Sequence, residues 1–415
     1  MRQLVFLIVL IPSLAQATGL VNRYQYLNSR TLPQGVWTFA FNRGQSLSRG
    51  EGSFGSGGQR LSNQDFFSRD ISYGHLLDEI NDPVERELAG AAFSAYERQG
   101  TENAGRVIND VNVDQKSDTY VIGRGLTEKA SLLIIFPIVT IRTSFNTRFV
   151  NSDSMNRFTS QLRSEGQNQR ADEIVQKSQS ALRERLSENG YRTSYPTEFT
   201  TLANIFIDYR YQAVAKKKFD LATDTIAVVP AGEKSDEDDF IYLRVNEEQY
   251  SLRQAITAGY HPSYKVSLFG STYYHKRFAF EKERRIPVNE ISPLSQDIDK
   301  NTRVQYGDTL GASLQANYIA SETFTFYVGR SQEVKQRDQY SGSQYASERY
   351  NYLEKGTSQQ LSLNYAGVAI NTIRSFLDQK FPIPVDLNLQ YSVASSGQNA
   401  FSNEAVALQM MVFYK

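Results

Sequence analysis

Histidine comes first among residues that could do chemistry, because its imidazole can bind a metal ion or act as a general base. The sequence has three histidines, His75, His261 and His275, and their spacing fits no metal-binding motif. The chain has no cysteine, so thiolate metal ligands, disulfides and thiol nucleophiles are excluded. A Ser-His hydrolase would carry the nucleophile elbow G-x-S-x-G, and the sequence has none. We therefore predict a protein that is not an enzyme, with no catalytic residues, metal site or cofactor.

Charged side chains inside otherwise apolar strands are the second group of candidates. Asp208 and Arg210 lie two residues apart, so in a strand they share one face. Charges cost several kcal/mol against lipid but are tolerated in a hydrated or plugged barrel interior. The predicted lumen residues are Asp208, Arg210, Arg253, Asp386, Phe206 and Phe269. We expect Asp208 and Arg210 either to select solutes as a pair or to neutralise charge across the barrel, and the two phenylalanines either to suit a hydrophobic passenger or to pack against a loop plug.

A third candidate group lies in the polar stretch Ser154–Gly190, which has the spacing of a weakly amphipathic helix. Its apolar stripe includes Ile174, Val175 and Leu182. These residues are predicted to bind a hydrophobic ligand at a channel mouth, to plug the channel, or simply to dock on its rim.

The elements that hold the lumen candidates are strands with alternating side chains. In Glu404–Lys415 one face is an apolar stripe that ends in Tyr414, and Val385–Val393 separates Leu387 and Leu389 from Asn388 and Gln390. About twelve such segments occur, an even number, as closed bacterial barrels require. The sequence predicts an all-β fold, a transmembrane antiparallel up-and-down β-barrel, in which the last strand pairs with Gly35–Arg43.

The connections between these strands alternate between long and tight. Two long polar insertions, 44–115 and 143–202, are predicted to be extracellular loops with helical segments, the first helix beginning near Pro83. Tight turns at Leu126–Glu128, Lys216–Lys218 and His261–Ser263 are predicted on the periplasmic side. Two further predictions are one continuous strand over Arg303–Tyr318 and a short helix over Ala366–Gln379.

The N-terminus and the composition set the cellular context. Residues 1–17 have the basic start, short apolar run and Ala-Gln-Ala end of a secretory signal peptide, which leaves 18–415 as one barrel domain. After residue 17 no apolar run is long enough for a transmembrane helix. The 45 basic and 45 acidic residues balance, which argues against nucleic acid as a partner. The pattern predicts the bacterial outer membrane as the location and its lipid as a partner.

Short motifs add a family resemblance. The segment Leu32–Trp37, the hairpin Ile122–Lys129 with Phe136-Pro137 beyond it, and Ile226–Gly232 resemble the outer-membrane meta-pathway phenol-degradation-like β-barrel family, which is distantly similar to long-chain fatty acid transporters. The resemblance implies a monomeric channel for small hydrophobic or aromatic compounds. Only Thr18–Gln34 precedes the first strand, so a plugging hatch of the fatty-acid-transporter type is expected to be missing.

Two functional hypotheses follow from the sequence. The first is a passive outer-membrane channel for small hydrophobic or aromatic compounds. The second is a structural or adhesive barrel whose long loops bind a partner or a surface. Flux and partner binding would respond differently to deletion of Ser154–Gly190, which therefore discriminates between them.

Overall fold

The computed structural model describes residues 29–46, 52–62, 68–78, 83–174, 187, 189–191, 198–232, 237–238, 248–288, 295–402 and 404–414. Its strands are β1 (Trp37–Ser46), β2 (Ser53–Phe54), β3 (Arg60–Leu61), β4 (Arg69–Ser72), β5 (Asn103–Thr127), β6 (Ala130–Asn151), β7 (Glu198–Leu202), β8 (Ile205–Ala215), β9 (Phe219–Val229), β10 (Ser251–Tyr260), β11 (Val266–Arg277), β12 (Phe280–Arg285), β13 (Ile298–Gln305), β14 (Thr309–Ile319), β15 (Phe324–Lys335), β16 (Gln339–Ser341), β17 (Gln359–Asn371), β18 (Val385–Gln398), β19 (Ala400–Phe401) and β20 (Glu404–Tyr414). Its helices are α1 (Tyr73–Asp78), α2 (Pro83–Ala95), α3 (Asp153–Ser164), α4 (Ser347–Glu354) and α5 (Ile373–Leu377).

Twelve of the strands close into an antiparallel barrel. Around the wall the order is β1, β5, β6, β8, β9, β10, β11, β14, β15, β17, β18 and β20, and β20 pairs back onto β1. The closing pair joins Trp37 to Tyr414 and Ala40 to Met411. The predicted barrel class, strand number and closing pair are therefore confirmed.

The two faces of each barrel strand differ as a membrane barrel requires. On β8, Ile207, Tyr209 and Tyr211 are exposed on the outer face, whereas Asp208 between them is buried inside. On β18 the same alternation separates the exposed Leu389 from Asn388, which is 1% exposed. Successive side chains of a strand point to opposite faces, so an apolar-polar alternation gives one lipid-facing and one lumen-facing surface.

The barrel has two unlike ends. We call the end at Trp37 and Tyr414 the turn end, because the connections β5–β6, β8–β9, β10–β11 and β14–β15 there are short. The opposite end is the cap end, where the described helices α1 to α4 and the small sheets lie. The hairpin β5–β6 has strands of 25 and 22 residues, far longer than the roughly ten that span a bilayer, so it rises well beyond the barrel wall at the cap end.

At the cap end α1, α2 and α3 share an aromatic core. Tyr73, Phe93 and Phe158 pack edge to face, with ring centroids 4.9 Å apart for Tyr73–Phe93 and 5.7 Å for Phe93–Phe158. Ser152 accepts a hydrogen bond from the backbone N–H of Met155 and so begins α3. Burial raises the pKa of Tyr73, whose hydroxyl is 3.1 Å from Ser154. This aromatic core fixes the helices to one another above the barrel.

A second group at the cap end is a three-stranded sheet, β12–β13–β16, with α4. Its own hydrophobic core includes Ile286, Val304 and Tyr350. Here the structure corrects the prediction of one strand over Arg303–Tyr318, which is divided between β13 in this sheet and β14 in the barrel. The reason is Asp308, which is buried and binds the backbone N–H of Arg277, so the chain turns there instead of continuing a ladder.

The element bounds bear on three further predictions: the two long insertions, the first long helix and the helix over Ala366–Gln379. The strands continue into both predicted insertions, because β5 begins at Asn103 and β6 ends at Asn151, and β7 lies within 143–202. The first long helix does begin at Pro83. The helix expected over Ala366–Gln379 is wrong for its first half, since β17 runs to Asn371 and only Ile373–Leu377 is helical. Among the described helices, none combines the length and apolar character that crossing a bilayer would require.

Candidate channel lumen

The inward face of the barrel is mainly polar. Residues that point inward and are buried include Thr38, Asn42, Ser117, Thr119, Ser131, Asp208, Asp220, Asp224, Ser251, Thr257, His275, Ser313, Gln315, Asn388 and Gln390. Five buried aromatic rings of the described strands share this face: Phe206, Phe269, Tyr273, Tyr327 and Tyr365. An interior that is polar but interrupted by rings differs both from a dry core and from an open water-filled pore.

Three of the rings lie flat over glycines on the neighbouring strand. The register places Tyr273 opposite Gly311, Tyr365 opposite Gly329 and Tyr327 opposite Gly367. A Cβ built on any of these glycines would lie 2.1 to 2.4 Å from the nearest ring atom of the partner. The glycines therefore let the rings lie against the wall.

Arg210 forms an ion pair with a carboxylate on the neighbouring strand. Arg210 donates from Nε to Oδ1 of Asp224 at 2.5 Å, and Asp208 is not its salt-bridge partner. Arg210 and Asp224 are direct cross-strand neighbours of β8 and β9. Such neighbours lie about 5 Å apart, whereas residues two apart on one strand are separated by about 7 Å. Arg210 is thus paired across the hairpin, and the two roles predicted for Asp208 and Arg210 remain predictions.

Asp208 and Arg253 lie in one row across the wall. Both are opposite Ile226, Asp208 on β8 and Arg253 on β10. The guanidinium carbon of Arg253 is 3.7 Å from the ring centroid of Tyr273, a cation-π contact. Within the described residues, Oδ1 of Asp208 and Nε of Arg253 have no hydrogen-bond partner.

The lumen narrows at the turn end. Asp220 accepts hydrogen bonds from the hydroxyl of Ser29 and lies 2.6 Å from Nε2 of His261, whose Nδ1 is 2.8 Å from Ser267. The ring of Phe269 contacts His261 edge to face at 5.7 Å between centroids. Ser29 precedes β1, and three strands separate β1 from Asp220 on β9. The segment before β1 therefore crosses the lumen at this end.

The other predicted site residues are dispersed. Phe206 is 7% exposed and points inward from β8, opposite Val228. Asp386 is also at the turn end, where it accepts a hydrogen bond of 3.0 Å from Asn371, and it does not join Asp208. Ile174 packs against the aromatic core of α1 to α3 at the cap end of the barrel. Val175 and Leu182 lie outside the described residues.

Sequence reasoning missed Asp224, Asp220 and Tyr273 as lumen residues. A signal for the first was present, because a turn centred on Lys217 places Arg210 opposite Asp224 in the hairpin register. Alternation along β11 places Tyr273 on the same face as Phe269, but its contact with Arg253 depends on the side-chain direction and had no such signal. In the described part of the chain, no group of three or more potential ligands could hold a metal ion.

Comparison with known proteins gives one informative result. No protein-family model matches the chain, and no curated protein matches it in sequence. Among solved structures, an outer membrane channel from Pseudomonas putida F1 superposes with a TM-score of 0.54 at 9% identity, over 94% of this chain and 100% of that chain. The chain has the fold of an outer-membrane channel. The resemblance indicated by the sequence motifs and the predicted outer-membrane location are confirmed at the level of this fold.

Other neighbours of the channel barrel are more distant. The monoaromatic hydrocarbon channel CymD matches with a TM-score of 0.33 and 10% identity over 96% of this chain and 93% of that chain. The translocator domain of the autotransporter NalP from Neisseria meningitidis matches with a TM-score of 0.36 and 8% identity over 96% and 92%. At these scores the similarity does not bear on function.

Proposed function

We propose that the protein is a monomeric, passive channel for small hydrophobic or aromatic compounds, with the cap end at the cell surface and the turn end in the periplasm. The observation that carries the proposal is the set of rings held flat on glycines along the lumen wall, Tyr273, Tyr327 and Tyr365. Flat rings offer a planar solute offset-stacking and edge contacts at successive heights in the barrel. A polar wall without rings would favour sugars or ions instead.

The rings are also held in place. The hydroxyl of Tyr327 donates to the side-chain oxygen of Asn388 at 2.6 Å, and the rings of Tyr327 and Tyr365 are 6.4 Å apart. Tyr327 is 2% exposed, so little of its ring reaches the lumen, and the part that does is fixed by the hydroxyl at little further entropic cost. Together with Phe206 and Phe269, these residues give an aromatic surface on several sides of a narrow barrel.

Substitution of a wall ring tests the proposal. Full-length protein reconstituted in planar bilayers would be measured for ion conductance and for its block by benzyl alcohol. Tyr327→Leu should weaken the block severalfold, because a ring contact of about 1 kcal/mol is lost. The matched control is Tyr391→Leu, since Tyr391 is 42% exposed on the outer face. Equal block in the wild type and both variants would contradict the proposal.

A structural or adhesive barrel is the alternative, and one observation favours it. The sheet β12–β13–β16 with α4 has its own core and is braced by ion pairs, including Arg284–Glu237 at 2.9 Å and Lys282–Glu248 at 2.7 Å. A braced module above the mouth is what a binding surface needs. Deletion of residues 339–354, which removes β16 and α4 from this module, separates the two functions: a channel should change its conductance, whereas an adhesin should lose its partner with unchanged conductance.

A further inference from the structure

Two opposite charges in the lumen wall remain apart. Asp208 is 8% exposed, and neither its Oδ1 nor Nε of Arg253 has a hydrogen-bond partner among the described residues. Their strands are separated by β9, which puts their Cα atoms about 10 Å apart. Removing charges from water without pairing them is unfavourable. The two unpaired charges of the barrel wall therefore indicate a functional role for Asp208 and Arg253.

The direction of Arg253 explains why the two charges do not meet. Its guanidinium lies over the ring of Tyr273 on β11, which is on the side away from Asp208. Tyr273 in turn lies against Gly311, where a Cβ would lie 2.1 Å from the ring. The arginine is thus held in position by stacking, and its Nε is buried without a hydrogen-bond partner among the described residues.

The other charged or titratable groups nearby are already bound. Arg210 and Asp224, one row closer to the turn end, bind each other. His275, directly opposite Arg253, has its Nε2 2.8 Å from the hydroxyl of Ser251. Because these neighbouring groups already have partners, the carboxylate of Asp208 and the guanidinium of Arg253 remain for a solute to bind.

We propose that Asp208 and Arg253 form a binding subsite for a small dipolar solute, which places a carboxylate on Arg253 and a hydrogen-bond donor on Asp208. A guanidinium binds a carboxylate with two parallel hydrogen bonds, and a carboxylate accepts a hydroxyl proton strongly. The subsite rests on the proposed channel function and narrows it: among small aromatic solutes, it favours those with an acid group at one end and a hydroxyl at the other.

Three probes resolve the two contacts. 4-Hydroxybenzoate has both groups, benzoate lacks the donor, and 4-hydroxybenzyl alcohol lacks the acid. Their affinities would be measured by equilibrium dialysis against the full-length protein in detergent. Arg253→Gln should weaken 4-hydroxybenzoate at least tenfold and leave the alcohol unchanged, because it removes charge-assisted hydrogen bonds. Asp208→Leu should abolish the preference for 4-hydroxybenzoate over benzoate.

The control is Arg330→Gln, which removes an arginine exposed on the outer face of β15. If Arg253→Gln binds all three probes as this control does, or if Asp208→Leu keeps the preference, the subsite is disproved. Should Arg253→Gln fail to fold, Arg253→Lys keeps the charge without the planar fork, and an unchanged affinity for 4-hydroxybenzoate would contradict the proposal.

Parallel conductance measurements separate this inference from the channel function. If the three probes block the ion conductance equally in the wild type and in every variant, the subsite is refuted and the channel function stands. Selective binding in dialysis by a protein without conductance would refute the channel and leave the subsite intact.

Discussion

At the scale of single residues, carboxylates decide where strands end and where charges are placed. Asp308 is the clearest case, because its side chain binds Nζ of Lys276 at 2.8 Å, the hydroxyl of Tyr274 at 2.5 Å and the backbone N–H of Arg277 at 3.0 Å. One residue thus joins β11 to the start of β14 at the cap end. In the lumen Asp220 likewise joins His261 to Ser29.

Asp308 gives a pH-dependent prediction. Burial alone would raise the pKa of Asp308, but the hydrogen bonds from Lys276, Tyr274 and Arg277 outweigh burial and lower that pKa. Its stabilising contribution is therefore complete above the unfolded pKa of about 4, and is lost as the pH falls through the lower folded value. Asp308→Asn should destabilise the protein by about 1 to 2 kcal/mol at pH 7, a modest value because Lys276 is partly exposed.

Thermal unfolding of the wild type and Asp308→Asn at two pH values checks this expectation. The difference in unfolding temperature should be present at pH 7 and should shrink at pH values well below 4. A difference that is as large in acid as at pH 7 would show that the ionised carboxylate is not what stabilises the junction.

At the scale of elements, paired strands position the lumen rings through their glycines. Gly329→Val would place a Cβ 2.3 Å from Cζ of Tyr365, so we expect the ring to swing towards the barrel axis and lower the ion conductance. The matched control is Gly270→Val on the outer face, where the nearest atom to a new Cβ is Cδ2 of Leu314 at an ordinary 3.5 Å. Single-channel recordings that give both variants the wild-type conductance would contradict this role of the glycine.

At the scale of the whole molecule, the defining contact is the closure of β20 onto β1. Because the natural chain has no cysteine, engineered pairs report on the register without background. Ala40→Cys with Met411→Cys joins direct cross-strand partners, so oxidation should form an intramolecular disulfide. Ala40→Cys with Gln409→Cys is two residues out of register and should not. Mobility on non-reducing gels distinguishes the outcomes, and equal cross-linking of both pairs would contradict the stated register.

The sequence by itself determined the barrel, its twelve strands, the closing pair and the faces of Asp208, Phe206 and Phe269, because side-chain alternation along a strand is a local property. It did not determine which charges meet. Arg210 binds Asp224, Arg253 stacks on Tyr273, and Ser29 reaches Asp220 across the lumen. Two of these contacts join neighbouring strands, and the third joins segments far apart in sequence. Only the closed barrel fixes them together, because register and curvature bring the segments into reach.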